Sequence, residues 1–473
     1  MGLVGISNIL LAISSILLLP ILTKNLPVSE FGAWAQILVT LNLVSAIFTL
    51  GFPHALMRFL PSVNHKKNIR EDFYASFLVV MLSSLFIAIV FFIFSKSISN
   101  IFFHNVYYSS ILIISLVIFV FNLNSFVINY YRASQQIKKY SLFLVMKVYL
   151  FIILLFYFAF NGMTLTEVLI IYLVAQILTF LTSILIIVNQ IGFGVPKFKN
   201  LRRYLSFGLP LLPGYLAYWI VESSDRYVIG LLMGSIFVGF YSPGYTVANL
   251  IVMISMPFPA MLLPVISKYY DEGNIKKVKT YLNYSLKLFL VLAMPSAFGI
   301  SIMSLALLNI LTTPEIASKG YLVTPFVAVG GMFYGIYNIL SLIFALKLKT
   351  YVTSIVFSLA AVFNLTFTIL LIYYIGILGA AIASMMTYIL IFVLAKHFMD
   401  KYIKINLDFK FVLKTLFASI IMSLFILFIN PAEILMILIT IVISAIIYFT
   451  VLFLLKTFNS EEINLIKSIL KLS

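Results

Sequence analysis

"FGAWAQILVTLNLVSAI" (residues 31–47) and "VGFYSPGYTVANLIVMI" (residues 238–254) align without a gap. Gly32 falls on Gly239 and Trp34 on Tyr241. Asn42-Leu43-Val44 falls on Asn249-Leu250-Ile251, and Ile47 on Ile254. One residue of slip then brings Phe52-Pro53 onto Phe258-Pro259. Each copy sits in an apolar run of membrane-spanning length, and each leads into a basic loop. Both copies run in the same direction through the membrane. That makes a parallel repeat about an axis along the membrane normal. The pattern predicts two pseudo-symmetric six-helix lobes.

The surrounding composition sets the solvent. Of 473 residues, 63% are hydrophobic and only 10% are charged. Soluble domains carry roughly 25% charged residues, so the chain is predicted to be an integral membrane protein. A helical span needs about 20 apolar residues, and such runs recur from end to end. Short alternating segments, the sign of a β-barrel, do not dominate. The fold class is therefore all-α and polytopic, with about fourteen transmembrane helices. Residues 1–195 are expected to form the first lobe and 196–405 the second. Two additional helices follow over 406–456, then an amphipathic tail over 457–473. The first apolar run lacks a basic leader and a cleavage site, so it reads as a retained helix.

Charge in the loops gives the orientation. With both termini placed in the cytoplasm, only Lys24, Lys96 and Lys319 fall in outer gaps, and Lys147, Arg226 and Lys287 fall within spans. The rest of the 31 lysines and arginines lie on the inner side. Miscounting one helix would scramble that asymmetry, so the positive-inside rule supports the even count. The net charge of +17 then belongs to the inner membrane surface rather than to a nucleic-acid partner. Tyrosine pairs at 107–108, 130–131, 269–270 and 373–374 mark expected helix ends, as interfacial aromatics do.

Several chemistries are excluded. There is no cysteine, hence no disulfide, thiol nucleophile or cysteine–metal site. His54, His65, His104 and His397 are scattered, without ligand spacing. No Gly-rich loop ends in Lys-Ser or Lys-Thr, so the chain has no P-loop. The outer acids Glu30, Glu167, Glu315 and Glu433 stand singly. No catalytic constellation, metal site or cofactor is expected.

What stands out is charge at membrane depth. "VESSDRYVIGLLMG" (residues 221–234) places Glu222, Asp225 and Arg226 within the seventh span, 205–232. Each such charge costs about 2.5–3.5 kcal/mol at a helix centre on insertion scales. Glu222 and Arg226 are spaced i,i+4 with the acid first, the favoured order for an ion pair, while Asp225 is left to pair elsewhere. Two readings stay open: a salt bridge holding the helix to a neighbour, or a cavity wall that meets a charged substrate. The same helix opens "SFGLPLLPG". Pro210 and Pro213 each remove a backbone donor, which predicts a broken or bent start. Lys24, Arg58 and the mid-span Asn42, Asn249 and Asn364 complete the candidate binding residues. Lys147 and Lys287 are expected to snorkel to the inner surface. The small residues of "GILGAAIASMM" (residues 376–386) predict close helix packing.

"LTKNLPVSEFGAW" (22–34), "LGFPHALMRFLP" (50–61), "SSDRYVIGLLMGSIFVGFYS" (223–242) and "VFNLTF" with "GILGAAIAS" (362–384) complete the picture. Together they resemble the polysaccharide-biosynthesis branch of the multidrug/oligosaccharidyl-lipid/polysaccharide exporter superfamily. The resemblance implies two six-helix lobes, often with two extra C-terminal helices. It implies a flippase that moves a polyprenyl-(pyro)phosphate-linked oligosaccharide from the cytoplasmic to the outer leaflet of the cell membrane by alternating access. It implies cationic contacts at Lys24, Arg58 and Arg226. A lysine at 24, where relatives often have arginine, keeps the charge and loses the planar fork. The implied partners are the glycan-bearing lipid, membrane lipids, and the glycosyltransferases or polymerase of the same pathway. A drug/cation antiporter on the same scaffold is the alternative, but it needs a deep carboxylate in the first lobe, which is absent. A membrane-embedded glycan polymerase or ligase would need a sizeable outer loop with clustered acids or arginines, and none is present.

Overall fold

A computed structural model of the chain describes residues 2–63, 65–103, 108–158, 162–405 and 408–457. The expected tail helix, His104 and Tyr107 lie outside these residues. Among the described residues the structure is helical, with fourteen helices long and apolar enough to cross a membrane.

The first six spans use α1 (Gly2–Asn25), α2 (Val28–Phe48), α3 (Phe52–Phe59), α4 (Lys66–Ile93), α5 (Ser95–Phe103), α6 (Tyr108–Ala133), α7 (Ile137–Phe158) and α8 (Leu165–Ile191). The seventh and eighth are built from α9 (Leu201–Gly208), α10 (Leu212–Met233), α11 (Ser235–Ala248), α12 (Leu250–Ser255) and α13 (Pro257–Asp271). Next come α14 (Ile275–Ile302), α15 (Ser304–Leu311), α16 (Pro314–Gly320), α17 (Val323–Leu340) and α18 (Leu342–Leu346). The chain closes with α19 (Tyr351–Ile375), α20 (Ile377–Asp400), α21 (Phe409–Ile429) and α22 (Ile434–Leu454).

Local chemistry explains the breaks. The second span, expected over 33–51, ends as α2 at Phe48, and the chain turns at Gly51, whose φ of +70° is left-handed. A Cβ there would also meet the backbone of Gly208 at 2.5 Å, so only glycine fits. Pro53 then restarts the helix in the first turn of α3, where its missing N–H costs nothing. The prolines opening the seventh span act as anticipated. A 3-10 turn, Leu209–Leu211, separates α9 from α10. Asn249 interrupts the eighth span between α11 and α12. Thr164 and Glu167 close a reciprocal capping box at the start of α8, satisfying two orphan donors. The Glu30 carboxylate accepts the Leu165 amide. Two of the scattered outer acids therefore serve helix ends.

Lipid exposure is legible in α22. Ile437, Thr440, Ser444, Tyr448 and Leu452 form its one buried stripe, at helical spacing. Leu435, Leu438, Val442, Ile446 and Phe453 are exposed, as a helix facing hydrocarbon requires.

The structure divides into two compact units. One comprises residues 1–243, 311–316 and 357–384. Its core joins Phe52, Phe73, Phe126, Tyr130, Tyr131, Phe143, Ile187 and Tyr204 from α3, α4, α6, α7, α8 and α9. Buried Asp72 on α4 accepts Asn200 Nδ2 at 2.9 Å and the Tyr204 hydroxyl at 3.1 Å. Lys197 pairs with Glu71 at 2.8 Å. The connection between the sixth and seventh spans is thereby tied to α4. The repeat is visible here too. A Cβ on Gly32 would strike the Ser235 carbonyl, and one on Gly239 would strike the Val28 carbonyl. Val28 and Ser235 stand one helical turn before the matched glycines in their own copies. The contact is reciprocal, as a two-fold relation between the copies produces.

The second unit comprises residues 244–310, 317–356 and 385–473. In it α14 packs against α17 and α21, and α21 against α22. The Phe289 ring fills the space where Gly335 lacks a Cβ. The Tyr245 and Tyr388 hydroxyls lie 3.2 Å apart. Lys287 pairs with the half-exposed Asp408 at 3.1 Å and stands over the Phe411 ring at 5.1 Å. In the first unit, Lys147 stands 5.0 Å from the Phe121 ring centre.

Candidate functional site

The intramembrane charges assemble where α10 meets α2 and the first part of α11, up to residue 243, within the first unit. Arg226 is turned inward, its side chain 11% exposed, and Asp225 is buried at 3%. Arg226 Nη1 donates to Asp225 Oδ1 at 3.2 Å and to the Glu222 carbonyl at 3.3 Å. The Arg226 amide also donates to Asp225 Oδ1, at 2.8 Å. The other oxygen, Oδ2, accepts the Tyr241 hydroxyl from α11. Asp225, expected to pair elsewhere, thus takes its own neighbour and a tyrosine together. Both of its oxygens are occupied, which is how a buried carboxylate is tolerated at membrane depth. The Glu222 carboxylate accepts the Tyr218 hydroxyl one turn earlier on the same helix and feels the Arg226 charge.

Helix α2 supplies a facing polar row. Gln36 Nε2 donates to the Arg226 carbonyl at 3.3 Å. Gly230 makes room for it, since a Cβ there would overlap the Gln36 amide. Thr40, one turn on, shares a hydrogen bond with the Tyr227 hydroxyl. Trp219 Nε1 donates to the Val39 carbonyl at 3.1 Å, and its ring lies 5.5 Å from that of Tyr227. Three hydrogen bonds therefore join α2 to α10 on either side of Arg226.

The remaining candidates are distributed. Asn364 is buried and accepts the Ser224 hydroxyl at 3.1 Å, joining α19 to the back of α10. Lys24, at the end of α1, and Arg58, in the last turn of α3, are exposed. Asn42 is exposed on α2. Asn249 lies in the second unit at the helix break and is partly buried. Glu222, Asp225 and Arg226 thus form one cluster with Asn364 behind it, while Lys24, Arg58 and Asn42 present polar groups at the surface of their own helices. Gln36, Thr40, Trp219, Tyr227 and Tyr241 were not singled out as site residues from the sequence. Gln36 and Thr40 are a polar pair at i,i+4 in an apolar helix. Tyr241 is the repeat partner of Trp34. Those were the available signals.

Comparison with known proteins agrees with this architecture. The chain is 21% identical over 232 residues to the probable low-salt glycan biosynthesis flippase Agl15 of Haloferax volcanii, covering 48% of each chain. The chain spans about half the length of the curated relatives it matches. Among solved structures, the fold is similar to lipid II flippase MurJ in an inward closed conformation. The TM-score is 0.78 at 18% identity, covering 95% of this chain and 96% of that one. It is also similar to an inward-facing multidrug resistance MATE family transporter of the MOP superfamily. There the TM-score is 0.66 at 14% identity, covering 84% and 94% of the two chains. The fold is thus the MurJ/MATE fold of a multi-pass membrane protein. The polysaccharide biosynthesis protein family matches residues 21–315, the segment that carries both copies of the repeat and the charged crossing of α2, α10 and α11, and the chain belongs to that family.

Proposed function

We propose that this protein is a transporter, a flippase that carries a polyprenyl-(pyro)phosphate-linked oligosaccharide from the cytoplasmic to the outer leaflet by alternating access. The observation that carries the reading is Arg226, a guanidinium at membrane depth turned into the protein and held by the Asp225 carboxylate and the Glu222 carbonyl, with Tyr241 on the other Asp225 oxygen. A phosphate head cannot enter hydrocarbon unaided. A fixed guanidinium replaces part of its hydration. Arg58 and Lys24, exposed at the ends of α3 and α1, are the cations that meet the head before and after Arg226. A glycan-biosynthesis flippase among the relatives supports the substrate class. A cation antiporter needs a carboxylate open to its ion, and Asp225 has both oxygens engaged.

The test is a leaflet-accessibility assay. Arg226→Ala, and Arg58→Ala combined with Lys24→Ala, are expected to trap the glycolipid on the cytoplasmic leaflet and reduce surface glycan at least tenfold, about the effect of losing one charged hydrogen bond. Normal surface glycan in both variants would defeat the proposal.

A further inference from the structure

We infer that the first unit carries a second ligand site, a pocket for a phosphate-bearing polyol, between the start of α4, the α6–α7 turn and the end of α8. The pocket holds about 500 Å³ and is lined by Lys66, Tyr130, Ser134, Gln135, Gln136 and Gln190 among others. That volume lies in the range of small-molecule sites, roughly 300–1,000 Å³. Its polar groups are built in rather than incidental. Gln135 has φ +59°. It closes α6 with a Gln135 amide bond to the Arg132 carbonyl (3.2 Å) and a Gln136 amide bond to the Tyr131 carbonyl (2.8 Å). Gln136 Nε2 donates to Ser134 Oγ at 3.2 Å, fixing its side chain.

Two features point to the ligand. The Gln190 amide oxygen is shielded from solvent and has no donor in the protein. A shielded acceptor without a donor is costly, and a hydroxyl of the ligand supplies one. Lys66 opens α4, so its ammonium and the positive end of a long helix act on the same space. The acids that could neutralise it are engaged elsewhere, Glu71 with Lys197 and Asp72 with Asn200 and Tyr204. Arg132 and Lys139 beside the adjoining turn add positive field. A cation for phosphate, amides for ester oxygens and an acceptor for a hydroxyl together describe a polyol phosphate. That is the chemistry of a phosphatidylglycerol headgroup or of free glycerol phosphate. The site is independent of the transport reading and is read by binding alone.

The experiment uses the full-length purified protein in nanodiscs of uncharged lipid, titrated with short-chain phosphatidylglycerol and with glycerol 1-phosphate. Saturable binding is expected, about tenfold weaker in Lys66→Ala and lost in Gln190→Glu, which keeps the size of the side chain and repels the anion. Lys138→Ala removes the same charge nearby without touching the pocket and is expected to bind as wild type. Competition by glycerol 1-phosphate would assign recognition to the polyol phosphate itself. Binding of the lipid without that competition would assign it to a membrane headgroup. Binding of neither probe, or a loss in Lys138→Ala equal to that in Lys66→Ala, would overturn the inference.

Discussion

At the scale of single residues, the chain's chemistry concentrates on Asp225. A carboxylate that is 3% exposed is tolerable only if its oxygens are matched, and Arg226 and Tyr241 divide that task. Removing the tyrosine hydroxyl leaves a buried charge short of a donor, at a cost of about 1–3 kcal/mol. Tyr241→Phe is therefore expected to lower the unfolding temperature in detergent measurably. Asp225→Ala is expected to lower it further, about 3–5 kcal/mol, because it strands the guanidinium. A Tyr241→Phe protein that melts with wild type would remove the tyrosine from this network. The charges themselves were legible in the sequence, since any ion stands out in an apolar run. The tyrosine was not, because its role depends on where α11 crosses α10. Asp72 taught the same lesson. Nothing in the local sequence ties it to Asn200 and Tyr204, which arrive through folding.

At the scale of elements, the fourteen spans were readable because each must satisfy its backbone internally and face lipid, which leaves a strong hydropathy signal. The breaks were readable where Gly or Pro forced them, at Gly51 and at Leu209–Leu211. The join between α14 and α21 was not. There Asp408 caps α21 through the Phe411 amide at 3.1 Å and pairs with Lys287. Lys287, expected to snorkel to the inner surface, reaches the half-exposed Asp408 that opens α21. Partial burial works to raise the Asp408 carboxyl, and the Phe411 amide and the Lys287 ammonium outweigh it, so the group sits below the usual carboxylate range. A carboxylate with a depressed folded pKa contributes stability above its unfolded pKa of about 3.9. That contribution is lost as pH falls through the folded value. The unfolding temperature should therefore hold above about pH 5 and drop below about pH 4, with a shallower drop in Asp408→Asn. Because the side chain is nearly half exposed, solvent screening limits the ion-pair part to about 0.2–1 kcal/mol. An identical acid profile in wild type and Asp408→Asn would show that this join does not set it.

At the scale of the whole molecule, the question is what drives a bulky anion across. In the proposed transport the cations Lys24, Arg58 and Arg226 stay on their helices, so the charge that changes sides is the substrate's own. With the cell interior negative, moving one negative charge outward is favoured by about 2.3 kcal/mol per 100 mV. At the Arg226 cluster Asp225 is matched on both oxygens and Glu222 accepts the Tyr218 hydroxyl, which disfavours either acid carrying a compensating cation back. Transport should therefore respond to voltage. In proteoliposomes holding a fluorescent polyprenyl-phosphate glycan, a potential negative on the cytoplasmic side of the protein is expected to raise the initial flipping rate. Reversing the potential should lower it, with no requirement for a sodium or proton gradient. Arg226→Ala should flatten the response by removing the step at which the charge enters the protein. A rate indifferent to voltage and governed by an ion gradient would mean that a coupled cation crosses with the glycolipid, and the acids of the seventh span would then have to open to receive it.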